Sequence, residues 1–188
     1  MNFLEANIDE QKLERFRSYL KLLAHTQLDS QLGQRIDASD IVQQTLLDAV
    51  KQTDKFLGTS ESEFLAWLRK ILTHNLVDAF RFHGRAKRDM SRQCSLDDDI
   101  SKSFRRLNAL ADTCASPSQR AATNEQLLAL PQALDQLAPA QREAIILHHL
   151  QGLKLAETSK RMGKSEAAVC GLLHRGLKRL HELLGERS

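Results

Sequence analysis

The chain has 188 residues, of which 41% are hydrophobic and 27% charged, so it can bury a core and is not disordered by composition. Leucine occurs 32 times, whereas valine and isoleucine together occur 11 times, a bias that favours helix over strand. With one Tyr and one Trp, this composition predicts an all-α protein and argues against a β-sandwich, a β-barrel or a Rossmann enzyme.

Cysteine usage and the N-terminal residues bear on the compartment. Cys94, Cys114 and Cys170 are far apart and contain no CxxC pair, so they indicate neither a disulfide framework nor a zinc site. The first ten residues lack the basic and apolar regions of a signal peptide, and no apolar run reaches the roughly 18 residues of a membrane span. We therefore expect a cytoplasmic, soluble and reduced protein.

The N-terminal part of the chain carries three helical patterns, over residues 9–29, 38–55 and 61–83. Asp37 or Ser39 can cap the second helix, and Ser60 and Glu63 have the spacing of a capping box before the third. The buried stripes are expected to hold Leu13, Phe16, Leu20 and Leu23 in the first helix; Ile41, Val42, Leu46, Ala49 and Val50 in the second; and Phe64, Leu65, Leu68, Ile71, Leu72, Leu76 and Ala79 in the third.

A polar stretch follows at residues 91–122. It shows no sustained helical period, so we interpret it as a flexible linker with a short helical piece around 104–110. Ser116-Pro117 then predicts the start of a helix to about residue 136, and Pro139 the start of another to about 151. The sequence thus predicts two small helical bundles, residues 1–92 and 123–188, joined by a flexible linker at 93–122.

The C-terminal segment has the spacing of a helix-turn-helix, with helices over 154–162 and 165–184 and a glycine for the left-handed turn at 163. The second helix of such a motif places its N-terminus in the major groove. Its first residues are Ser165, Glu166, Ala167 and Ala168, and the Glu166 carboxylate can accept a hydrogen bond from a cytosine amine. His174, Arg175 and Lys178 follow at positions suited to phosphates. A plain helical hairpin would show the same helices.

Charge is concentrated in two places, although the net charge is only +3. Residues 69–92 and 154–179 each carry seven cations against two anions, which is consistent with two contacts to one polyanion or with two solvated helix faces. Motifs of nucleotide-binding, hydrolytic or metal enzymes are absent. His74 and His148-His149 lack a second metal ligand at helical spacing, so we interpret them as surface or half-buried side chains rather than metal ligands. We interpret Asp97–Asp99 as part of a solvated linker, and expect no catalytic residue, cofactor or metal.

Four segments carry a family resemblance. In order they are DIVQQTLLDAV, FLAWLRKILTHNLVDAFR, LDQLAPAQREAIILHHLQGL and GKSEAAVCGLLHRGLKRLHELL, and together they resemble an extracytoplasmic-function (ECF) sigma factor of bacterial RNA polymerase. The first two are similar to sigma region two and the last two to region four, so the resemblance covers about 10–92 and 116–184. The last segment is also similar to ECF-like factors of planctomycetes.

The resemblance implies roles for the matching residues. The polar face of the second helix, with Asp40, Gln43, Gln44 and Asp48, would dock on the β′ clamp of core RNA polymerase, and region four would lie near the β flap. The loop 56–63 and the helix 64–83 would open the promoter −10 element, with contacts from Arg69, Lys70, His74, Asn75, Asp78 and Arg81. Trp67 and Phe80 could stack on bases or belong to the core. The helix from Ser165 would read the −35 element, and an anti-sigma factor is a further expected partner.

The chain departs from the family pattern at several positions. Gln44 stands where Glu is usual, and Cys170-Gly171 replace a common Lys-Ser pair. Thr158 and Ser159 stand where Ile and Ala are usual. Thr158 falls in the small core of the helix-turn-helix, where its hydroxyl needs a partner such as its own i−4 carbonyl. Two other functions account for less of the sequence. A free-standing dimeric regulator would leave residues 10–92 unexplained, and a helical adaptor without a DNA role would leave both basic segments unexplained.

Overall fold

The computed structural model describes residues 10–31, 36–83, 90–114 and 123–185, and within these ranges it contains α-helices and no strand. The all-α class is therefore confirmed. The chain divides into two compact units, Met1–Ser101 and Lys102–Ser188. The α-helices are α1 Glu10–Gln31, α2 Ala38–Lys51, α3 Glu61–His83, α4 Met90–Cys114, α5 Thr123–Asp135, α6 Pro139–Ile145, α7 Leu155–Met162 and α8 Glu166–Gly185.

In the first unit, α1, α2 and α3 pack against one another. Their shared core consists of leucines and aromatic rings spaced at helical intervals, since each helix is amphipathic and must bury one stripe. The fully or nearly fully buried side chains include Phe16, Leu20, Leu23, Val42, Ala49, Phe64, Leu65, Leu68, Leu72 and Leu76. Most of the predicted stripes are thereby confirmed.

Both predicted caps in this unit are present. The Asp37 carboxylate accepts from the Ser39 amide at 2.8 Å at the start of α2. Before α3, the Glu63 carboxylate accepts from the Thr59 and Ser60 amides at 2.9 and 3.0 Å, and the Ser60 hydroxyl accepts from the Glu63 amide at 3.3 Å. The bonds from Thr59 and Ser60 hold the pKa of Glu63 below its ordinary value.

Three residues assigned to the buried stripes of α1 and α2 lie elsewhere, and Ala79 in the stripe of α3 is half-buried. Val50 is 73% exposed, Leu13 is 38% exposed and Leu46 is half-buried. All three line a groove of about 810 Å³ between α1 and α2, together with the exposed Leu47. The stripe prediction was wrong here because α2 packs on its neighbours through a narrower face, which centres on Ile41, Val42, Thr45 and Ala49.

In the second unit, α8 packs against α5, α6 and α7. Pro139 opens α6 as predicted, and a π-helical turn, Ile146–Leu150, continues it to the point where the sequence predicted its end. Gly152 follows with φ +75°, a left-handed conformation that glycine adopts without steric cost. The predicted helix start at Ser116-Pro117 lies outside the described residues.

The helix α4 corrects the prediction for residues 91–114, where the sequence indicated a linker with only a short helical piece around 104–110. Its 25 residues run through Ile100, Leu107, Leu110 and Ala111, which are all buried. These positions repeat at helical spacing, and the polar residues between them conceal that period. The division between the two units falls inside α4, after Ser101. The flexibility of a linker at 93–122 and the outer domain boundaries stay predictions.

Candidate nucleic-acid interface

The second unit contains the predicted helix-turn-helix, formed by α7, a short turn and α8. Gly163 has φ +63° and ψ 33°, the left-handed conformation expected at this turn. The amide of Lys164 donates to the carbonyl of Ser159 at 3.0 Å, which closes the end of α7. The Ser165 hydroxyl then accepts from the Ala168 amide at 3.2 Å and caps α8.

Thr158 lies in the small core of this motif with 0% of its surface exposed. Its hydroxyl donates to the carbonyl of Lys154 at 3.0 Å, so the expected i−4 partner is confirmed. A buried hydroxyl without a partner would destabilise the motif, whereas this one is satisfied within its own helix. The departure from the usual apolar residue therefore does not disrupt the motif.

The predicted −35 residues occupy one exposed side of α8 and its cap. The buried side of the helix includes Val169 and Leu173, and Leu172 beside them is half-buried. The exposed set comprises Ser165, Glu166, Ala167, Ala168, Cys170, His174, Arg175 and Lys178. This helix therefore offers a surface of small residues at its first turn and cations further along.

Arg175 reaches further toward the start of α8 than its position in the sequence indicates. Its Nη1 lies 3.2 Å from the point where a side chain on Gly171 would begin. Long side chains in helices lean toward the preceding turn, and the absence of a side chain at Gly171 leaves that space open. The guanidinium group thus stands over Gly171, in the second turn of α8.

The six predicted −10 residues on α3 fall into two groups. Lys70, His74, Asp78 and Arg81 form an exposed stripe at spacings of four, four and three residues. Asp78 and Arg81 make an exposed ion pair at 2.9 Å. The other two, Arg69 and Asn75, are half-buried and turn toward α1 and α2.

Arg69 packs on Tyr19 of α1. Its Cζ lies 5.5 Å from the centre of the Tyr19 ring, a distance at which a cation and an aromatic face attract. Tyr19 is fully buried, and this burial raises its pKa to about 12. The packing against Tyr19 gives this cation a structural role, and its contact to promoter DNA stays a prediction.

An aromatic cluster holds the loop before α3. The rings of Phe56 and Trp67 lie 5.2 Å apart, and Phe64 stands 5.4 Å from Phe56 and 5.8 Å from Trp67. Trp67 is half-buried and Phe80 is buried, so they follow the core alternative rather than free stacking surfaces. Two exposed apolar side chains in this part of the chain were not predicted: Leu57 (91% exposed) and Phe82 (79% exposed). Neither belongs to a predicted buried stripe, and an apolar residue outside such a stripe is a signal that could have identified them.

The polar face of α2 is only partly free. Asp40, Gln43 and Gln44 are exposed, whereas Asp48 is half-buried. The Asp48 carboxylate accepts from Gln44 Nε2 at 2.8 Å and from Asn75 Nδ2 at 3.1 Å. Asp48 shares the predicted polar face but is not freely exposed, because α3 approaches α2 on that side. Gln43 also lines the groove between α1 and α2.

Comparison with known proteins agrees with this arrangement. Residues 10–86 match the family Sigma-70 region 2, and residues 127–180 match Sigma-70, region 4. The chain is 32% identical over 153 residues to the ECF RNA polymerase sigma factor SigX of Bacillus subtilis, covering 78% of this chain and 72% of that protein. The chain belongs to the ECF RNA polymerase sigma factors.

Other relatives in this family are longer. The ECF RNA polymerase sigma factor SigG of Mycobacterium tuberculosis is 33% identical over 170 residues, which are 85% of this chain and 45% of that protein. The chain spans about half the length of this relative and of the sigma factor BldN of Streptomyces coelicolor. A solved complex of the sigma factor RpoE with the anti-sigma factor NepR from Bartonella quintana aligns over 94% of this chain and 96% of that one, at 24% identity with a TM-score of 0.34.

The family matches correspond to the two sets of helices. The region two match covers α1, α2 and α3, and the region four match begins within α5 and ends within α8. The candidate −10 and −35 surfaces thus lie on the elements that the family assigns to regions two and four.

Among the described helices, none combines the length and apolar character that crossing a membrane requires.

Proposed function

We propose that this chain is the promoter-specificity subunit of RNA polymerase, which directs the cytoplasmic core enzyme to promoters by recognising −10 and −35 elements. One observation carries the proposal: the chain combines a region two bundle, with an exposed basic stripe on α3, and a region four helix-turn-helix, with an exposed face on α8. We infer no enzymatic step for the chain itself, since its role is binding and positioning.

The −35 contacts are assigned to α8. Ser165, Glu166, Ala167 and Ala168 stand at the end of the helix that enters the major groove in this motif. The small side chains allow close approach, and Glu166 can accept from a cytosine amine. His174 and Lys178 are suited to phosphates, and Arg175, whose guanidinium lies over Gly171, can reach a phosphate or a base edge nearer the helix start.

The −10 contacts are assigned mainly to the exposed stripe of α3. Lys70, His74 and Arg81 can draw the phosphate backbone of an opened strand along this surface, and Asp78 can accept from a base amine. The exposed Leu57 and Phe82 can contact unstacked bases, which in single-strand sites rest on apolar and aromatic side chains. Asn75 contributes from the edge of the stripe, and Arg69 acts through its packing on Tyr19.

The polymerase contact is assigned to α2 and the groove beside it. Asp40, Gln43 and Gln44 supply exposed polar groups, and the apolar lining of the groove includes Leu46, Leu47 and Val50. Exposed apolar surface next to polar groups is typical of a protein-binding site. We assign this surface to the β′ clamp of core polymerase, region four to the β flap, and leave an anti-sigma factor as a further partner.

Titration with and without core polymerase separates this function from a free-standing helix-turn-helix regulator. The isolated full chain is expected to bind promoter DNA weakly and with strong dependence on salt, since each unit offers few phosphate contacts. Sequence-specific binding is expected only after core polymerase is added. A tight footprint by the chain alone on a palindromic site, with a dimeric mass, would support the regulator and refute the sigma-factor proposal.

A further inference from the structure

A small hydrogen-bonded network joins α2 to α3 in the first unit. The side-chain amide nitrogen of Asn75 donates to Thr45 Oγ1 at 3.2 Å and to Asp48 Oδ2 at 3.1 Å. Thr45 is buried, and its own hydroxyl donates to the carbonyl of Ile41 at 2.7 Å. The second carboxylate oxygen of Asp48 accepts from Gln44 Nε2 at 2.8 Å. Every member of the network therefore has a partner within it.

This network fixes which way the Asn75 amide points. Thr45 has committed its single hydroxyl proton to Ile41, and an ionised Asp48 has no proton to give, so both groups facing the amide are acceptors. Only the NH₂ end of Asn75 can meet them. A turned amide would place its carbonyl oxygen against two acceptors and leave the hydrogen bonds unmade. The carbonyl oxygen Oδ1 consequently lies on the side away from Thr45 and Asp48.

We propose that Asp48, assisted by Thr45, is a positioning residue that makes Asn75 an obligate acceptor toward promoter DNA. The inference rests on the proposed function, since it assumes that α3 contacts the −10 element. Adenine and cytosine carry an amine, at N6 and N4, where thymine and guanine carry a carbonyl oxygen. Where the Asn75 carbonyl oxygen meets this exocyclic group of a base, it therefore favours adenine or cytosine at one −10 position.

The substitution Asp48→Asn tests the orientation. An amide at position 48 can donate as well as accept, so Asn75 is free to turn and to present its NH₂ group. We expect the preference for adenine or cytosine at one −10 position to fall about tenfold, with thymine or guanine gaining, because that is the effect of losing one base contact. Asn75→Ala is expected to abolish selection at the same position. Thr45→Ser keeps the hydroxyl acceptor and is expected to keep the preference.

The experiment uses the full chain with core polymerase and a promoter library randomised in the −10 element. Transcripts are sequenced for the wild type and for the Asp48→Asn, Asn75→Ala and Thr45→Ser variants, and circular dichroism checks that each variant is folded. The proposal predicts that Asp48→Asn and Asn75→Ala change selection at one shared position, which Thr45→Ser leaves unaltered.

Two results would overturn the proposal while leaving the proposed function intact. In the first, Asp48→Asn selects the same −10 sequence as the wild type. In the second, it lowers transcription evenly from all promoters, which would assign Asp48 to the polymerase contact or to stability alone. A wild-type chain that enriches no promoter with core polymerase would instead refute the proposed function, and this result is distinct from the other two.

Discussion

Replacement of Gly152 by alanine is expected to destabilise the second unit strongly. Gly152 has φ +75°, and the Cβ of an alanine there would overlap the guanidinium group of Arg106, coming within 2.6 Å of Nε. Arg106 Nη1 also donates to the carbonyl of Gln151 at 3.0 Å. The left-handed backbone costs alanine about 1–2 kcal/mol, and turning the flexible end of the Arg106 side chain away from this carbonyl costs about 1 kcal/mol more. The free energy of unfolding of this unit should therefore fall by about 2–3 kcal/mol.

The chain offers a matched control at Gly163. This glycine is also left-handed, with φ +63°, but a Cβ there would have no atom within 4 Å among the described residues. Gly163→Ala should show only the backbone cost, about 1–2 kcal/mol, and Gly163→Asn less, because asparagine tolerates this conformation.

Urea unfolding followed by circular dichroism measures these differences, with the transition assigned to the second unit. In an Arg106→Ala background, Gly152→Ala should lower the free energy of unfolding only as much as Gly163→Ala does, because the guanidinium group that it would displace is gone. Equal costs for Gly152→Ala and Gly163→Ala in the otherwise wild-type chain would refute the reasoning. That result would mean that the C-terminal part of α4 does not pack on the turn at Gly152.

Three further outcomes are expected. The burial of His149, together with the neighbouring His148, lowers its pKa, so the unfolded state binds the proton more readily. The free energy of unfolding should therefore fall as the pH drops below about 6.5, and His149→Gln should reduce the difference in melting temperature between pH 7.5 and 5.5. Glu166→Ala should change which −35 base is preferred, with a loss of about 1–3 kcal/mol in discrimination, whereas Lys178→Ala should lower the affinity for all −35 sequences alike and reduce the salt slope by about one. If wild type and Glu166→Ala select identical motifs, Glu166 acts only through the helix dipole. Asp40→Lys should weaken binding to core polymerase in a titration while changing stability by less than about 0.5 kcal/mol, and unchanged affinity would contradict the docking assignment.

Local signals in the sequence were sufficient for the ends of helices and for the helix-turn-helix. The caps at Asp37, Ser60 and Ser165 depend on residues within three positions, so the sequence alone specifies them. The partner of Thr158 lies one helical turn away and could be predicted for the same reason.

Interactions between distant parts of the chain could not be predicted in this way. Asp48 and Asn75 are 27 residues apart, and only the packing of α2 on α3 brings their side chains together. The exposure of Val50 likewise depends on which face of α2 its neighbours cover. In α4, by contrast, the apolar residues from Ile100 to Ala111 do have a helical period, but the surrounding aspartates and serines concealed it.

Promoter selection in a reconstituted system tests the central claim most directly. The full chain is mixed with core RNA polymerase and a DNA library randomised upstream of a reporter, and the transcripts are sequenced. We predict enrichment of promoters that carry two conserved elements, at −10 and −35, with a fixed spacing, and no enrichment with either core polymerase or the chain alone. Transcription that is unchanged by adding the chain, or a single palindromic element bound without polymerase, would contradict the assignment as a sigma factor.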